Sequence, residues 1–171
     1  MNGTARIKGA IPHRHPALLV DRVAEAEPGR RLVTHKAVTL AEPGYRGLGD
    51  EAADEAYAYP LGLLLESWAQ SAVLLACWEK PNSDVLAGNV VLLAGVRDAR
   101  ALAPVYPGSV VVHEVRVVRD LGDAVITTGG STVDGRPVLE VGQLTLALRG
   151  AEVLAPGAPA AAPAPPTDER S

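Results

Sequence analysis

Glu66 is a carboxylate in an apolar setting. It stands in PLGLLLESWAQSAVLLACW, Pro60 to Trp78, where apolar residues cover nearly every direction of a helix; a helix of that kind is wrapped by protein on most sides. Burying an ionised carboxylate costs several kcal/mol unless it is paired or takes up a proton. A group so placed is a candidate acid or base, and it needs a partner. Ser67, Gln70 and Ser71 follow at i+1, i+4 and i+5 on the same face. All three are candidate hydrogen-bond partners, with Gln70 as support rather than reactant. The plainer reading is a partly exposed acid near a helix start, where the macrodipole favours negative charge.

The other reactive side chains form weaker patterns. His35 and His113 fall in strand-like segments and read as structural or surface residues. No pair of histidines has a ligand spacing supported by carboxylates or cysteine, so no metal site is expected. Cys77 is the single cysteine; it reads as a small buried apolar residue and excludes an intrachain disulfide framework. Asp50, Glu51, Asp54 and Glu55 in GDEAADEAY read as a solvated loop or a short surface helix.

Elements must hold these residues. One long helix is expected from about Leu61 to Trp78, ending ahead of Pro81. Ser109 to Val118, Ala124 to Val133 and Pro137 to Leu148 are rich in β-branched residues and are separated by Leu121-Gly122-Asp123 and Asp134-Gly135. That is the pattern of antiparallel strands joined by hairpins. Arg31 to Leu40 and Val85 to Val96 also read as strands. One helix with five or six strands, mostly after it, predicts an α+β fold in which a curved antiparallel sheet wraps a central helix.

The bulk composition bounds the possibilities further. With 171 residues and 47% hydrophobic content, one domain over residues 1–150 can build its own core. A net charge of -4 supplies no basic field for a nucleic acid or an anionic membrane. No run approaches the roughly 20 apolar residues of a spanning helix, and MNGTARIKGAIPHRHP lacks a signal peptide's apolar core. A cytoplasmic protein is expected. Residues 151–171 collapse into APGAPAAAPAPPTDERS and read as a disordered Pro/Ala-rich tail.

One stretch is far more specific. IPHRHPALLVDRV, Ile11 to Val23, resembles the N-terminal signature of the (3R)-hydroxyacyl-acyl-carrier-protein dehydratases of the FabZ/FabA type, Pro-His-Arg-aromatic-Pro followed by Leu-Leu-Val-Asp-Arg. Further matches fall in order: Glu42-Pro43, Pro60 with LLLESWAQ, LAGVRDAR from Leu93 to Arg100, and PVYPGS from Pro104 to Ser109. The resemblance runs from Ile11 to Leu148 and implies the hotdog fold, a sheet wrapped around one long helix. It also implies that Glu66 occupies the position of the catalytic carboxylate, followed by the matching Ala69-Gln70. His13 and His15 lie in the signature, and family catalysis does not use them, so a capping or packing role is expected for both.

The sequence departs from the family at its other catalytic position. A histidine in a Gly-His-Phe-Pro-Gly segment is the family's base; this chain has EPGYRGLGDEAADEAYAYP, with Leu48 or Ala52 in the histidine's place, depending on the end from which it is aligned. At the helix start Pro60 is kept, Leu61 replaces a glycine, and Gly62 comes one residue late. Dehydration of a 3-hydroxyacyl thioester needs a base, an acid for the leaving hydroxyl and donors for the thioester oxygen. Glu66 would be the acid, with Pro60, Leu61, Gly62 and Gln70 as binding residues. The free N–H groups at the helix N-terminus would face the oxygen. Leu61 would narrow or reshape the pocket.

The family's site lies at a dimer interface, so the resemblance implies a dimer, and a heterodimer with a histidine-bearing relative would contain one complete site. The implied substrate is an acyl chain on the phosphopantetheine of an acyl carrier protein, in polyketide, polyene or fatty-acid-like biosynthesis, with no cofactor. Arg97 and Arg100 would suit the acidic carrier or its phosphate, with an ordinary surface role as the open alternative. Two other readings stay open: a catalytically silent hotdog subunit, and a hotdog thioesterase whose carboxylate activates water. A residue of the Gly44 to Tyr59 segment, such as Tyr57, Tyr59 or one of its acids, is a further candidate for the missing base.

Overall fold

The computed structural model describes residues 3–82, 84 and 89–150. The expected tail lies outside them. A short helix, α1 (Thr4–Ala10), opens the chain, followed by β1 (Arg22–Glu27), β2 (Arg31–Ala37), the long helix α2 (Leu61–Ala76), and β3 (Asn89–Ala101), β4 (Val110–Asp120), β5 (Ala124–Val133) and β6 (Arg136–Gly150). The six strands form one sheet in the order β1-β2-β4-β5-β6-β3, with every neighbouring pair antiparallel. α2 packs across its middle, against β2, β4, β5 and β6. This is the hotdog arrangement.

The hairpins form where the turn residues require them. Asp134 and Gly135 both have positive φ, 50° and 75°, the backbone a two-residue hairpin needs. Along β4, Val111, His113 and Val115 are fully buried and face α2, and the residues between them look outward. That alternation of period two is what a sheet with one covered face requires.

Trp68 anchors the helix to the sheet. It is fully buried, and its indole N–H donates to the Glu114 carbonyl at 3.0 Å. The space for the ring is created by Gly129, whose φ is +149° and where a Cβ would stand 2.1 Å from Glu114 O and 3.3 Å from Trp68 Cζ2. A polar seam runs beside this apolar contact. Ser67 Oγ lies 2.9 Å from His113 Nε2, His113 Nδ1 lies 2.7 Å from Ser131 Oγ, and Thr34 and Ser71 pair at 2.7 Å. All five side chains are buried; each has a partner, as buried polar groups must.

Several boundaries and two elements differ from expectation. The strand begun at Arg31 ends at Ala37 rather than Leu40, because Val38 N–H turns to Ser109 O. The helix ends at Ala76, with Cys77 capping back to Val73 O. The strand expected at Val85 to Val96 starts at Asn89 and runs on to Ala101; residues 85–88 lie outside the described residues. β1 and α1 were not expected. RVAEAE in β1 buries only Val23 deeply and uses poor strand formers at a sheet edge. α1 has only seven residues, Ile7 and Ala10 being its buried ones, too few for a period to emerge. Among the described residues no helix is long and apolar enough to cross a membrane.

Candidate active site

Gln70 ties the site together. It is 1% exposed. Its Oε1 accepts from Leu19 N–H at 2.9 Å, and its amide nitrogen donates to Ala17 O at 2.7 Å. The accepting oxygen fixes which end of the amide is which, so the same nitrogen must donate to Glu66 Oε1, 2.9 Å away. One amide thereby joins the Ile11–Val23 signature to α2 and orients the carboxylate one turn earlier. Ser67 and Ser71 do not take part. Each serine turns inward and donates to the helix backbone, Ser67 to Leu64 O and Ser71 to Ser67 O.

The signature brings a second side chain. His13 Nε2 stands 3.8 Å from Glu66 Oε1, with the His13 side chain 28% exposed and that of Glu66 45% exposed. Burial holds the His13 imidazole below its usual value; the Glu66 carboxylate opposes that shift and Arg14 adds to it. His13 is therefore neutral at pH 7. Its Nδ1 is buried with no partner among the described residues. Arg14 folds back onto its own segment, donating to Ile11 O and His13 O at 2.8 Å, which holds the loop over the helix.

At the helix start, Pro60 is the N-cap and provides no side-chain cap. Its carbonyl accepts from Leu63 and Leu64, leaving the N–H groups of Leu61 and Gly62 ahead of the bonded turn without a partner among the described residues. Leu61 is 49% exposed. With Tyr59, Leu64, Leu102, Pro104 and Val105 it lines an apolar cleft of about 390 Å³. At 3.6 residues per turn, Glu66 lies about 140° from Leu61 and about 160° from Leu64 round the axis. The carboxylate and the apolar cleft are thus on different flanks of α2, and Leu61 and Glu66 are not brought together on one face.

The Gly44 to Tyr59 segment folds as two 3-10 turns, Pro43–Tyr45 and Asp54–Tyr57. Asp50, Glu51, Asp54 and Glu55 are all exposed. Tyr45 and Tyr57 pack their rings 5.8 Å apart. Tyr59 is buried, with Lys36 Nζ 5.7 Å from its ring centre, and Lys36 donates to Glu42 in a pair almost closed to solvent. Burial, then Glu42, pushes the Tyr59 phenol far above its usual value. A phenol held that firmly in its neutral form is a poor base.

Known proteins resemble this chain in sequence and in fold. The FabA-like domain family matches residues 11–142. The chain is 38% identical to the 3-hydroxyacyl-acyl-carrier-protein dehydratase FabZ of Roseiflexus castenholzii, over 83% of this chain and 93% of that protein. It is 40% identical to the FabZ of Myxococcus xanthus, over 78% and 84%. The chain belongs to the FabA/FabZ dehydratase family. Among solved structures it superposes on the dehydratase heterocomplex ApeI:P from Xenorhabdus doucetiae with a TM-score of 0.67 at 15% identity, covering 84% of this chain and 90% of that one. A hypothetical thioesterase with coenzyme A from Streptococcus pneumoniae gives 0.52 at 15% identity, over 75% and 85%. These two likenesses are of fold.

Within this FabA/FabZ-family chain, the remaining candidates make no hydrogen bond or ion pair with Glu66 among the described residues. Arg97 and Arg100 are exposed on β3 and make no ion pair among the described residues. His15 is exposed, and His35 pairs with Arg22 at 2.8 Å. Cys77 is buried, and burial pushes its thiol up to about 11. Sequence reasoning missed the approach of His13 to Glu66. Its only signal was the position of His13 in the same short motif whose backbone clamps Gln70.

Proposed function

We propose that this chain is a subunit of a 3-hydroxyacyl-acyl-carrier-protein dehydratase, with Glu66 as the proton donor and a histidine-bearing second hotdog subunit supplying the base. The observation that carries this reading is the Glu66 carboxylate, oriented through Gln70 and left about half open. The second subunit's histidine takes the proton from C2 of the acyl thioester. The C3–O bond breaks as Glu66 protonates the departing hydroxyl, giving a C2–C3 double bond and water. Transfer of the proton from that histidine back to the Glu66 carboxylate resets the pair. The free N–H groups of Leu61 and Gly62 at the start of α2 support a role in polarising a thioester oxygen, as helix N-termini do, on a different flank of the helix from Glu66. The identity to FabZ dehydratases supports the substrate class, and a Gly44 to Tyr59 segment without histidine supports a base from outside the chain.

In this reading the protein works in the cytoplasm on acyl chains held by phosphopantetheine, in polyketide, polyene or fatty-acid-like biosynthesis, and exposed Arg97 and Arg100 face the carrier. The second reading, a silent subunit that binds the carrier or stabilises an active dehydratase, is favoured by Leu61 at the family's glycine position. Intact-mass analysis of a 3-hydroxyacyl carrier protein separates the two. Loss of one water is expected only when the chain is mixed with a histidine-bearing relative, and Glu66→Gln should lower that rate by about a hundredfold or more. An unchanged rate with Glu66→Gln would leave the chain as the silent subunit.

A further inference from the structure

One donor is bonded to an oxygen of Glu66, and a second nitrogen approaches the same oxygen without reaching hydrogen-bond distance. Gln70 Nε2 is bonded to Oε1 at 2.9 Å, and His13 Nε2 faces the same Oε1 at 3.8 Å. A neutral imidazole carries its single proton on one nitrogen, and the other nitrogen's surroundings decide which. His13 Nδ1 is buried and has no acceptor among the described residues. A proton there would be an unmet buried N–H, which costs more than an idle lone pair. The proton therefore belongs on Nε2, pointing at Glu66.

We propose that His13 is a positioning residue for Glu66: the Gln70 amide bonds Oε1 and the His13 Nε2–H faces the same oxygen from 3.8 Å, so that the carboxyl's own proton is carried on Oε2, the oxygen left for substrate. This rests on the dehydratase reading of Glu66 and adds to it the means by which the acid is aimed. It also separates His13 from the role of base. A histidine acting through Nε2 as a base needs its Nδ1–H held by an acceptor, as in catalytic triads, and the loop supplies none. When Glu66 becomes a carboxylate after donating its proton, the same two donors stabilise the charge on Oε1. The charged groups facing His13 are Glu66 from α2 and Arg14 from its own segment.

The test begins without turnover, so that it does not depend on finding the second subunit. Nitrogen NMR of histidine-labelled full-length protein at neutral pH is expected to show His13 as the Nε2–H form, assigned by the signal lost in His13→Gln. In Glu66→Gln the His13 titration is expected to move to lower pH, because the carboxylate that supports the imidazolium is gone. A proton on Nδ1, or a titration unmoved by Glu66→Gln, overturns the proposal even where the dehydratase reading stands. In an active mixture, His13→Ala should lower kcat by about tenfold to a hundredfold with KM little changed, and His13→Gln, which keeps a donor, should recover most of the loss. Equal kcat in His13→Ala and the parent also overturns it. Absence of turnover in every mixture counts against the dehydratase reading and leaves the NMR result to decide this one.

Discussion

Three of the four histidines in this chain have surroundings that define their chemistry, and His113 is the extreme case. It is fully buried between α2 and the sheet, and burial above all, with Lys36 and His35 adding, pushes its imidazole down to about 3. The neighbouring hydroxyls suit the neutral ring. Ser67 gives its proton to Leu64 O, so His113 Nε2 must donate to Ser67, and Nδ1 accepts from Ser131. The folded value lies below the unfolded one near 6.5, so the unfolded chain binds the extra proton, and stability present above pH 6.5 is lost as pH falls toward 3. A His113→Gln variant removes this dependence. Its deficit in unfolding free energy relative to the parent, measured by urea denaturation, should narrow by about 2 kcal/mol between pH 7 and pH 5. A constant deficit would mean that His113 is already charged in the folded protein.

At the scale of elements, α2 and the hairpins were legible in the residues themselves because their signals are local. Sixteen mostly apolar residues without an internal proline mark one helix, and Asp134-Gly135 carries its turn in two residues. The signature at Ile11 to Val23 gave the resemblance, and LLLESWAQ placed Glu66 and Gln70 within it. What stayed hidden depends on contacts between distant segments: the clamp of Gln70 by Ala17 and Leu19, the approach of His13, and the edge strand β1, whose alanines and glutamates become a strand only when β2 lies beside them. Gly129 belongs to the same class. Read alone, Gly129-Gly130 weakens a strand; in the fold it is the space that lets β5 pass β4 beneath Trp68. Gly129→Ala should cost about 3 kcal/mol from backbone strain and overpacking, read as a lower thermal midpoint with loss of near-ultraviolet signal from Trp68. Gly135→Ala, at a turn with open space around it, should cost only about 1 kcal/mol.

At the scale of the molecule, the sheet ends in two edges of different character. β1 is short and carries glutamates. β3 has 13 residues, pairs with β6 on one side only, and exposes Leu93 at 55%; a long apolar edge of this kind is a template for another strand. The dimer we propose would use it. Leu93→Lys should weaken association with the histidine-bearing relative by about tenfold or more, since it places a charge in an apolar seam, and sedimentation equilibrium of the mixture at several concentrations reads the change directly. A mixture in which Leu93→Lys associates as tightly as the parent would move the second subunit to another surface. The two tryptophans offer an optical consequence of the same architecture. Trp68 lies at the junction of helix and sheet, whereas Trp78 lies beyond the end of α2 with the Arg6 guanidinium 4.2 Å from its ring centre. There is no phenylalanine, and there are only these two indoles. Replacing either one therefore leaves an emission spectrum that belongs to a single seam, so release of α1 and collapse of the core can be timed as separate events in the same protein.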